Sequence, residues 1–441
     1  MARRKRSLPK EPVKAHVTDL THEGKGVAHI DGKTVFINQA LPGEDVEFIY
    51  VKKQRQFDVG RLHSVINASD KRIDPKCAHF FICGGCSLQH VSHEQQIQFK
   101  QKILIDNLKR IGHVEARVIR EPLNGPEWGY RRKARLGVKY VAKKEKVLIG
   151  FREKGSSLLA ELEQCEVLHP SVGKRLPELA ELIRSLSCYR AIPQIEMAVG
   201  DSSTALVFRH LEPLTDADHD KLKAFAKNNQ LDIYLQAAGP DSITPLWPVS
   251  PELFYQLPDY DVRFDFLPAD FVQINAEINK KLIPMVIEAL QCSEDMHVLE
   301  LFCGLGNFTL PIARQVASVT AVEGEASLIA RAKLNADNNG INNVTYHVAN
   351  LMDDVSVLPW WKTHQYDCVF MDPPRSGAEQ VLPVIAKQNI SRIVYVSCNP
   401  ATLARDAGIL VNEYGYKLLN AGVMDMFPHT AHVESIAVFE K

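Results

Sequence analysis

The last third of the chain carries five short apolar runs: His297 to Phe302, Ser318 to Val322, Val344 to Val348, Tyr366 to Met371 and Val394 to Val396. Segments with helical periodicity separate them. Strands of this length alternating with helices point to α/β architecture, a doubly wound and mostly parallel sheet. Such a sheet binds ligands in the crevice outside the carboxyl ends of its strands. Here those ends are Cys303-Gly304-Leu305-Gly306-Asn307, Glu323, Asn350, Asp372-Pro373-Pro374-Arg375 and Cys398.

The glycine loop after the first strand lets backbone approach a ligand closely. Glu323, about twenty residues on, suits hydrogen bonds to the ribose hydroxyls of an adenosine cofactor. The loop Gly304-Leu305-Gly306-Asn307 lacks the third glycine of a pyrophosphate fingerprint. That favours S-adenosylmethionine over NAD.

Cys398 ends the fifth run and is followed by Asn399, a good helix cap, and Pro400, suited to the first helical position. The backbone N–H groups of a helix start favour thiolate over thiol, so a nucleophile is one reading. A small buried cysteine that fills space is the other.

A length of 441 residues suggests about three domains. The nine cysteines show no disulfide framework and fit a reducing cytosol. No apolar run approaches a membrane span, and the basic start Met1-Ala2-Arg3-Arg4-Lys5-Arg6 lacks the apolar segment of a secretory signal. The net charge of −1 hides an asymmetry: residues 1–150 hold 29 Lys+Arg against 16 Asp+Glu. A basic N-terminal part suits nucleic acid.

Residues 1–11 read as a basic, disordered tail. From Lys14 to His63 short alternating segments are punctuated by Asp31-Gly32 and Leu41-Pro42-Gly43-Glu44, which predicts a small β-barrel. With the Gly24-Lys25-Gly26 loop, this stretch resembles the TRAM domain, an RNA-binding barrel of OB type. Cys77-x5-Cys83-Gly84-Gly85-Cys86 has metal-ligand spacing, with Cys165 or Cys188 as a fourth ligand and iron–sulfur or zinc as the metal. A helix is expected over His93 to Ile111, ending at Gly112. Trp128-Gly129-Tyr130-Arg131-Arg132-Lys133-Ala134-Arg135 mixes aromatics and cations as RNA contacts do, although an edge strand with solvated charges has the same pattern. Five prolines between Pro240 and Pro258 mark a passage between domains.

Five motifs together resemble the RNA uracil-C5 methyltransferases. They are Phe271-Val272-Gln273-Ile274-Asn275, Leu301-Phe302-Cys303-Gly304-Leu305-Gly306-Asn307-Phe308, Asp372-Pro373-Pro374-Arg375-Ser376-Gly377, Ser397-Cys398-Asn399-Pro400 and Asp425-Met426-Phe427-Pro428-His429-Thr430-x-His432-x-Glu434. The resemblance implies an N-terminal OB-type TRAM barrel over 12–64 and a central α+β domain with an iron–sulfur cluster over 65–262. A Rossmann-like methyltransferase domain would occupy 263–441. It implies a [4Fe–4S] cluster on Cys77, Cys83, Cys86 and Cys165, and S-adenosylmethionine held by Gln273, Phe302, Asn307, Glu323, Asn350 and Asp372. Cys398 would be the nucleophile and Glu434 the general base. Cys303 and Cys368 read as core cysteines. The implied substrate is 23S ribosomal RNA at uracil 1939, in the cytoplasm, with no membrane or protein partner. Another uridine of 23S or transfer RNA is the nearest alternative, then a non-catalytic RNA-binding factor or a zinc-dependent RNA-binding protein.

Overall fold

A computed structural model of the chain describes residues 8, 9, 11–358, 360, 361, 365–388 and 390–441. The basic tail expected over 1–11 lies for the most part outside the described residues. The chain divides into two compact units, Met1–Ile103 with Phe427–His432, and Leu104–Met426 with Val433–Lys441.

In the first unit, β1 (Val13–Leu20), β2 (Lys25–Ile30), β3 (Lys33–Asn38), β4 (Asp45–Lys53) and β5 (Phe57–Asn67) close a barrel in the order β1-β2-β3-β5-β4. Alternate residues such as Val17, Val35, Ile37, Val46 and Phe48 point inward and are fully buried. The Asp31-Gly32 turn between β2 and β3 has both residues at positive φ, as a tight hairpin requires. The Leu-Pro-Gly-Glu turn is built round Glu44, which has no exposed surface: it accepts from Leu41 N (2.8 Å) and pairs with Arg72 Nη2 (2.7 Å). Such a buried carboxylate persists only because it is paired on every side.

The cysteine-bearing segment after the barrel is made of turns, with Cys83 and Cys86 buried. The helix His93–Asn107 follows and tightens into a π-helical turn, Leu108–Gly112, before His113 in the left-handed region. Phe427–His432 belong to the first unit and are held in it by hydrogen bonds to their backbone. Ser87 N and Leu88 N both donate to His429 O (2.9 and 3.0 Å), Gln96 Oε1 accepts from His429 N (2.8 Å), and Lys100 Nζ donates to Phe427 O (2.9 Å).

The second unit holds the short strand β6 (Val118–Ile119) and then β7 (Lys133–Val141), β8 (Lys146–Gly150), β9 (Gln194–Val199), β10 (Thr204–Arg209), β11 (Asp232–Gln236) and β12 (Ile243–Trp247). β7 to β12 form a sheet ordered β12-β11-β10-β9-β7-β8. Helices Leu176–Ser185 and Asp216–Asn229 bury Leu179, Ile183 and Leu222 in the core shared with its strands. The hairpin β13 (Phe254–Leu257) and β14 (Val262–Asp265) runs through the domain boundary expected at 262/263.

The remaining strands are β15 (His297–Leu301), β16 (Ser318–Glu323), β17 (Val344–Val348), β18 (Cys368–Met371), β19 (Arg392–Ser397), β20 (Lys417–Met424) and β21 (Glu434–Glu440). With β6 they make an eight-stranded sheet ordered β17-β16-β15-β18-β19-β21-β20-β6. β15 to β19 are the five expected strands and pair in parallel, while β21 joins β19 and β20 antiparallel. The order steps outward from β15 to β17, then resumes at β18 on the other side of β15. The crevice of such a sheet lies at this reversal, between the ends of β15 and β18. No helix among the described residues is long and apolar enough to cross a membrane.

Candidate active site

A cavity of about 470 Å³ opens at the β15/β18 reversal. Gln273, Phe302, Asn307, Glu323, Asp372, Cys398 and Glu434 all line it, with Phe271, Val396, Met424 and Met426 as apolar wall. Seven of the eight residues expected to hold the cofactor or do chemistry are therefore brought together. Asn350 is not among the lining residues: it stands exposed past the end of β17, and its side chain accepts from Met352 N (3.1 Å).

The turn after β15 depends on its backbone. Phe302, Gly304 and Gly306 have φ of +64°, +56° and +95°. A phenylalanine in the left-handed region is strained, a state that persists only where its surroundings over-determine it. Glu323 fastens the turn: its Oε2 accepts from Gly304 N (3.1 Å) and its Oε1 from Gly324 N (2.7 Å). Oε1 also accepts from Glu325 N (3.2 Å). Asn307 exchanges two hydrogen bonds with Asn279 (2.8 and 2.9 Å) and accepts from the Tyr255 hydroxyl (2.8 Å). Reasoning from sequence missed both supports. Asn279 lies one helical turn after Asn275, the cap of helix Ala276–Leu290, and that spacing was the available signal. Tyr255 lies on the β13 hairpin, and nothing local pointed to it.

Carboxylates crowd the strand ends. Burial pushes Asp372 up to about 7. Glu300, inside β15, is pushed up to about 8 by burial first and by the charges of Asp372 and Glu323 second.

Cys398 follows Ser397, the last residue of β19, and Asn399 caps the helix Pro400–Gly408, accepting from Ala401 N. In β19 and β21 Ser397 pairs with Ser435. Continuing that antiparallel register sets Glu434 opposite Cys398, a separation at which side chains meet. The helix start does not make Cys398 a resting thiolate. Burial, then the charges of Glu434 and Asp372, push the thiol up to about 11, against the opposing pull of Arg375 and of a backbone hydrogen bond. The expectation of thiolate character is thus reversed in the ligand-free protein, because desolvation and two carboxylates from other strands outweigh the helix end. Arg375 is held beside Cys398 by its own backbone, whose carbonyl accepts from Asn399 Nδ2 (3.0 Å) and Thr402 Oγ1 (3.3 Å).

The basic stretch Arg131–Arg135 is largely engaged within the protein. Arg132 pairs with Asp201 (2.6 Å), Arg135 with Glu196 (2.8 Å), and Lys133 donates to Asp270 O. Cys303 and Cys368 are core cysteines whose thiols burial pushes up, and Cys188 lies in the core of the β7–β12 sheet. Cys77, Cys83 and Cys86 belong to the first unit and Cys165 to the second. Among the described residues no group of three or more His, Cys, Asp or Glu side chains is arranged to hold a metal ion.

The family described as tRNA (Uracil-5-)-methyltransferase matches residues 92–441, and the TRAM domain matches residues 9–56. The chain is 52% identical over 439 residues to the 23S rRNA (uracil(1939)-C(5))-methyltransferase RlmD of Methylococcus capsulatus, covering 99% of both chains. It is also 52% identical to the protein of that name from Nitrosococcus oceani, covering 99% of this chain and 98% of that one. The crystal structure of Pyrococcus abyssi tRNA (uracil-54, C5)-methyltransferase with S-adenosyl-L-homocysteine has the same fold. Its TM-score is 0.74 at 24% identity, covering 97% of this chain and 100% of that one. On the strength of the family match and these full-length relatives, the chain belongs to the tRNA (Uracil-5-)-methyltransferase family.

Proposed function

We propose that this chain methylates C5 of uracil 1939 in 23S ribosomal RNA, in the cytoplasm, with S-adenosylmethionine as methyl donor. The observation that carries the chemistry is the meeting of Cys398, Glu434 and Asp372 in the cavity that also receives the glycine loop and Glu323. The choice of RNA and position rests on the full-length relatives that bear this activity in their names. The crowd of buried carboxylates supports a cationic ligand, since raised carboxyl groups are relieved by an incoming positive charge.

S-adenosylmethionine supplies an electrophilic methyl group on a positively charged sulfur. Uracil C5 is too weak a nucleophile to take it unaided. Cys398, once deprotonated, adds to C6 of the uracil and turns C5 into an enolate carbon that accepts the methyl group. Glu434 then takes the proton from C5, the C5–C6 double bond re-forms, and the Cys398 thiolate leaves. Covalent addition splits one hard step into easier ones, and the base must leave its stack to reach the cavity. Gln273, Phe302, Asn307, Glu323, Asn350 and Asp372 hold the cofactor. Asn350 does so from the β17 end, on its motif position alone. The barrel over 12–64 and the central domain over 65–262 hold RNA while the domain over 263–441 reacts.

A [4Fe–4S] cluster on Cys77, Cys83, Cys86 and Cys165 completes the reading. Cys83 and Cys86 are withdrawn from water, and Gly85 N lies 3.4 Å from Cys83 Sγ, the kind of amide donation that suits a ligating thiolate. Its role is structural and RNA-positioning, because the Cys398 chemistry transfers no electron. Purified protein should carry iron and sulfide in equal amounts and lose both on Cys83→Ser. Zinc in their place would overturn the cluster.

Mapping 5-methyluridine in ribosomal RNA from cells with and without the gene tests the function, and an unchanged map at position 1939 would defeat it. Cys398→Ala should abolish transfer while keeping cofactor affinity. Glu434→Gln should leave an RNA–protein adduct that survives denaturing electrophoresis, and loss of activity without the adduct would remove Glu434 from the base role.

A further inference from the structure

Residues 267–275 have no regular structure of their own, yet they carry Phe271 and Gln273 into the cavity. What holds them is Asp270. Its Oδ2 accepts from Leu267 N (2.7 Å), and its own N–H donates to Leu267 O (2.9 Å), closing a tight turn one residue before Phe271. Two cations from different elements converge on this residue. Lys133 of β7 donates to the Asp270 carbonyl, and Arg331 of helix Ala326–Asn338 brings Nε to 3.2 Å from Asp270 Oδ2, an ion-pair distance without hydrogen-bond alignment. Further along, Arg132 N donates to Ile274 O (3.0 Å) and Arg131 bridges Asn275. The segment is thus tied at Asp270 to the first residue of β7 and at Ile274 and Asn275 to Arg132 and Arg131 just before that strand, and only the stretch between is free to meet a ligand.

We propose that Lys133 and Arg331 are positioning residues: by clamping Asp270 they hold the 267–275 segment so that Phe271 and Gln273 face the bound adenosyl cofactor. The inference rests on the cofactor assignment of the preceding subsection. It gives a use to a lysine that reads, in sequence, as one more RNA-binding cation.

Lys133 is also the clamp's titratable part. Burial lowers it to about 8, against the opposing pull of Asp270 and of Glu196 on β9, with Arg135 on its own strand lowering it further. Below that pH the ammonium attracts the Asp270 carboxylate. As pH rises through it the charge is lost while the chain stays folded, and the clamp falls back on Arg331 and a neutral hydrogen bond.

The test is calorimetric titration of S-adenosylhomocysteine into full-length wild type, Lys133→Arg, Lys133→Met and Gln273→Ala across pH 7 to 9.5, with melting curves alongside. Lys133→Met should weaken binding roughly three- to tenfold at pH 7, the loss expected when a charge-assisted hydrogen bond is removed at one remove from the ligand. Wild type should weaken by a similar factor between pH 7 and 9.5 relative to Lys133→Arg, which keeps the charge. Asp372 and Glu300 titrate in both proteins and cancel in that comparison. Identical pH courses for wild type and Lys133→Arg would overturn the clamp, and this comparison decides even if Lys133→Met fails to fold. Weak binding by Gln273→Ala with normal binding by Lys133→Met would sink the clamp alone. Unaltered binding by Gln273→Ala would sink the cofactor assignment beneath it.

Discussion

The thiol of Cys398 offers the sharpest test of the site's electrostatics. A thiol titrating at about 11 is thiolate in roughly one molecule in a thousand at pH 8, against roughly one in four for an ordinary thiol near 8.5. A more basic thiolate is intrinsically more reactive, which returns roughly tenfold at the usual Brønsted slope. The net expectation is alkylation by iodoacetamide roughly twentyfold slower than an ordinary exposed cysteine at pH 8. The rate should climb about tenfold per pH unit through pH 10. It is read at Cys398 alone by mass spectrometry of its peptide, so the other eight cysteines do not intrude. Glu434→Gln removes the neighbouring carboxylate that raises the thiol most and should bring the plateau to lower pH. Arg375→Met removes the opposing positive charge and should move it higher. A wild-type plateau at or below pH 9, or a Glu434→Gln profile superimposable on wild type, would refute the reasoning that burial and carboxylates hold the proposed nucleophile protonated in the empty cavity.

Three further outcomes follow from neighbouring geometry. Tyr395 is fully buried and donates to Asp406 Oδ2 at 2.7 Å, so Tyr395→Phe should cost roughly 1.5–3 kcal/mol in urea unfolding, as for a hydrogen bond to a charged group. Asp218, in the first turn of helix Asp216–Asn229, completes a capping box with the cap Thr215; burial raises it, but donors on Ser187 and Thr215 outweigh that and hold it well below the usual carboxylate range. Its stabilisation is therefore present above about pH 4, the unfolded value, and lost as pH falls toward the folded one, so Asp218→Asn should lower stability at pH 7 and flatten the acid limb of a stability–pH curve. At Gly377, φ is +82° and a Cβ would meet Arg405 Nη2 at 2.5 Å and Asp406 Oδ2 at 2.7 Å, so Gly377→Ala should destabilise by roughly 1–3 kcal/mol and, by displacing the Arg375 loop, cut methylation turnover.

What was legible in the sequence was what local pattern determines. The five parallel strands, the Asn399 cap and the glycine loop each follow from residues within a few positions of one another. β21 and β20 resisted, because their place beside β19 is decided by pairing across the sheet. β6, two residues long, has no pattern to read. The site's residues were recognisable as motifs, but their electrostatic states were not, and the reason is the same in each case. Arg132, Lys133 and Arg135 look like RNA contacts until Asp201, Asp270 and Glu196 are brought to them from 61 to 137 residues away. Cys398 looks activated by the helix that follows it until burial, and then Glu434 and Asp372 arriving from separate strands, raise it. A charge acts on its neighbours in space over several ångströms at low dielectric, so its sign of effect is a property of the fold. This bears on how the site works: residues that would oppose each other in the empty cavity become complementary once a cationic methyl donor lies among them. On the proposed mechanism the Cys398 thiolate is needed only when donor and uracil are both present, so a thiol held protonated in the empty cavity would keep the cysteine quiet between turnovers.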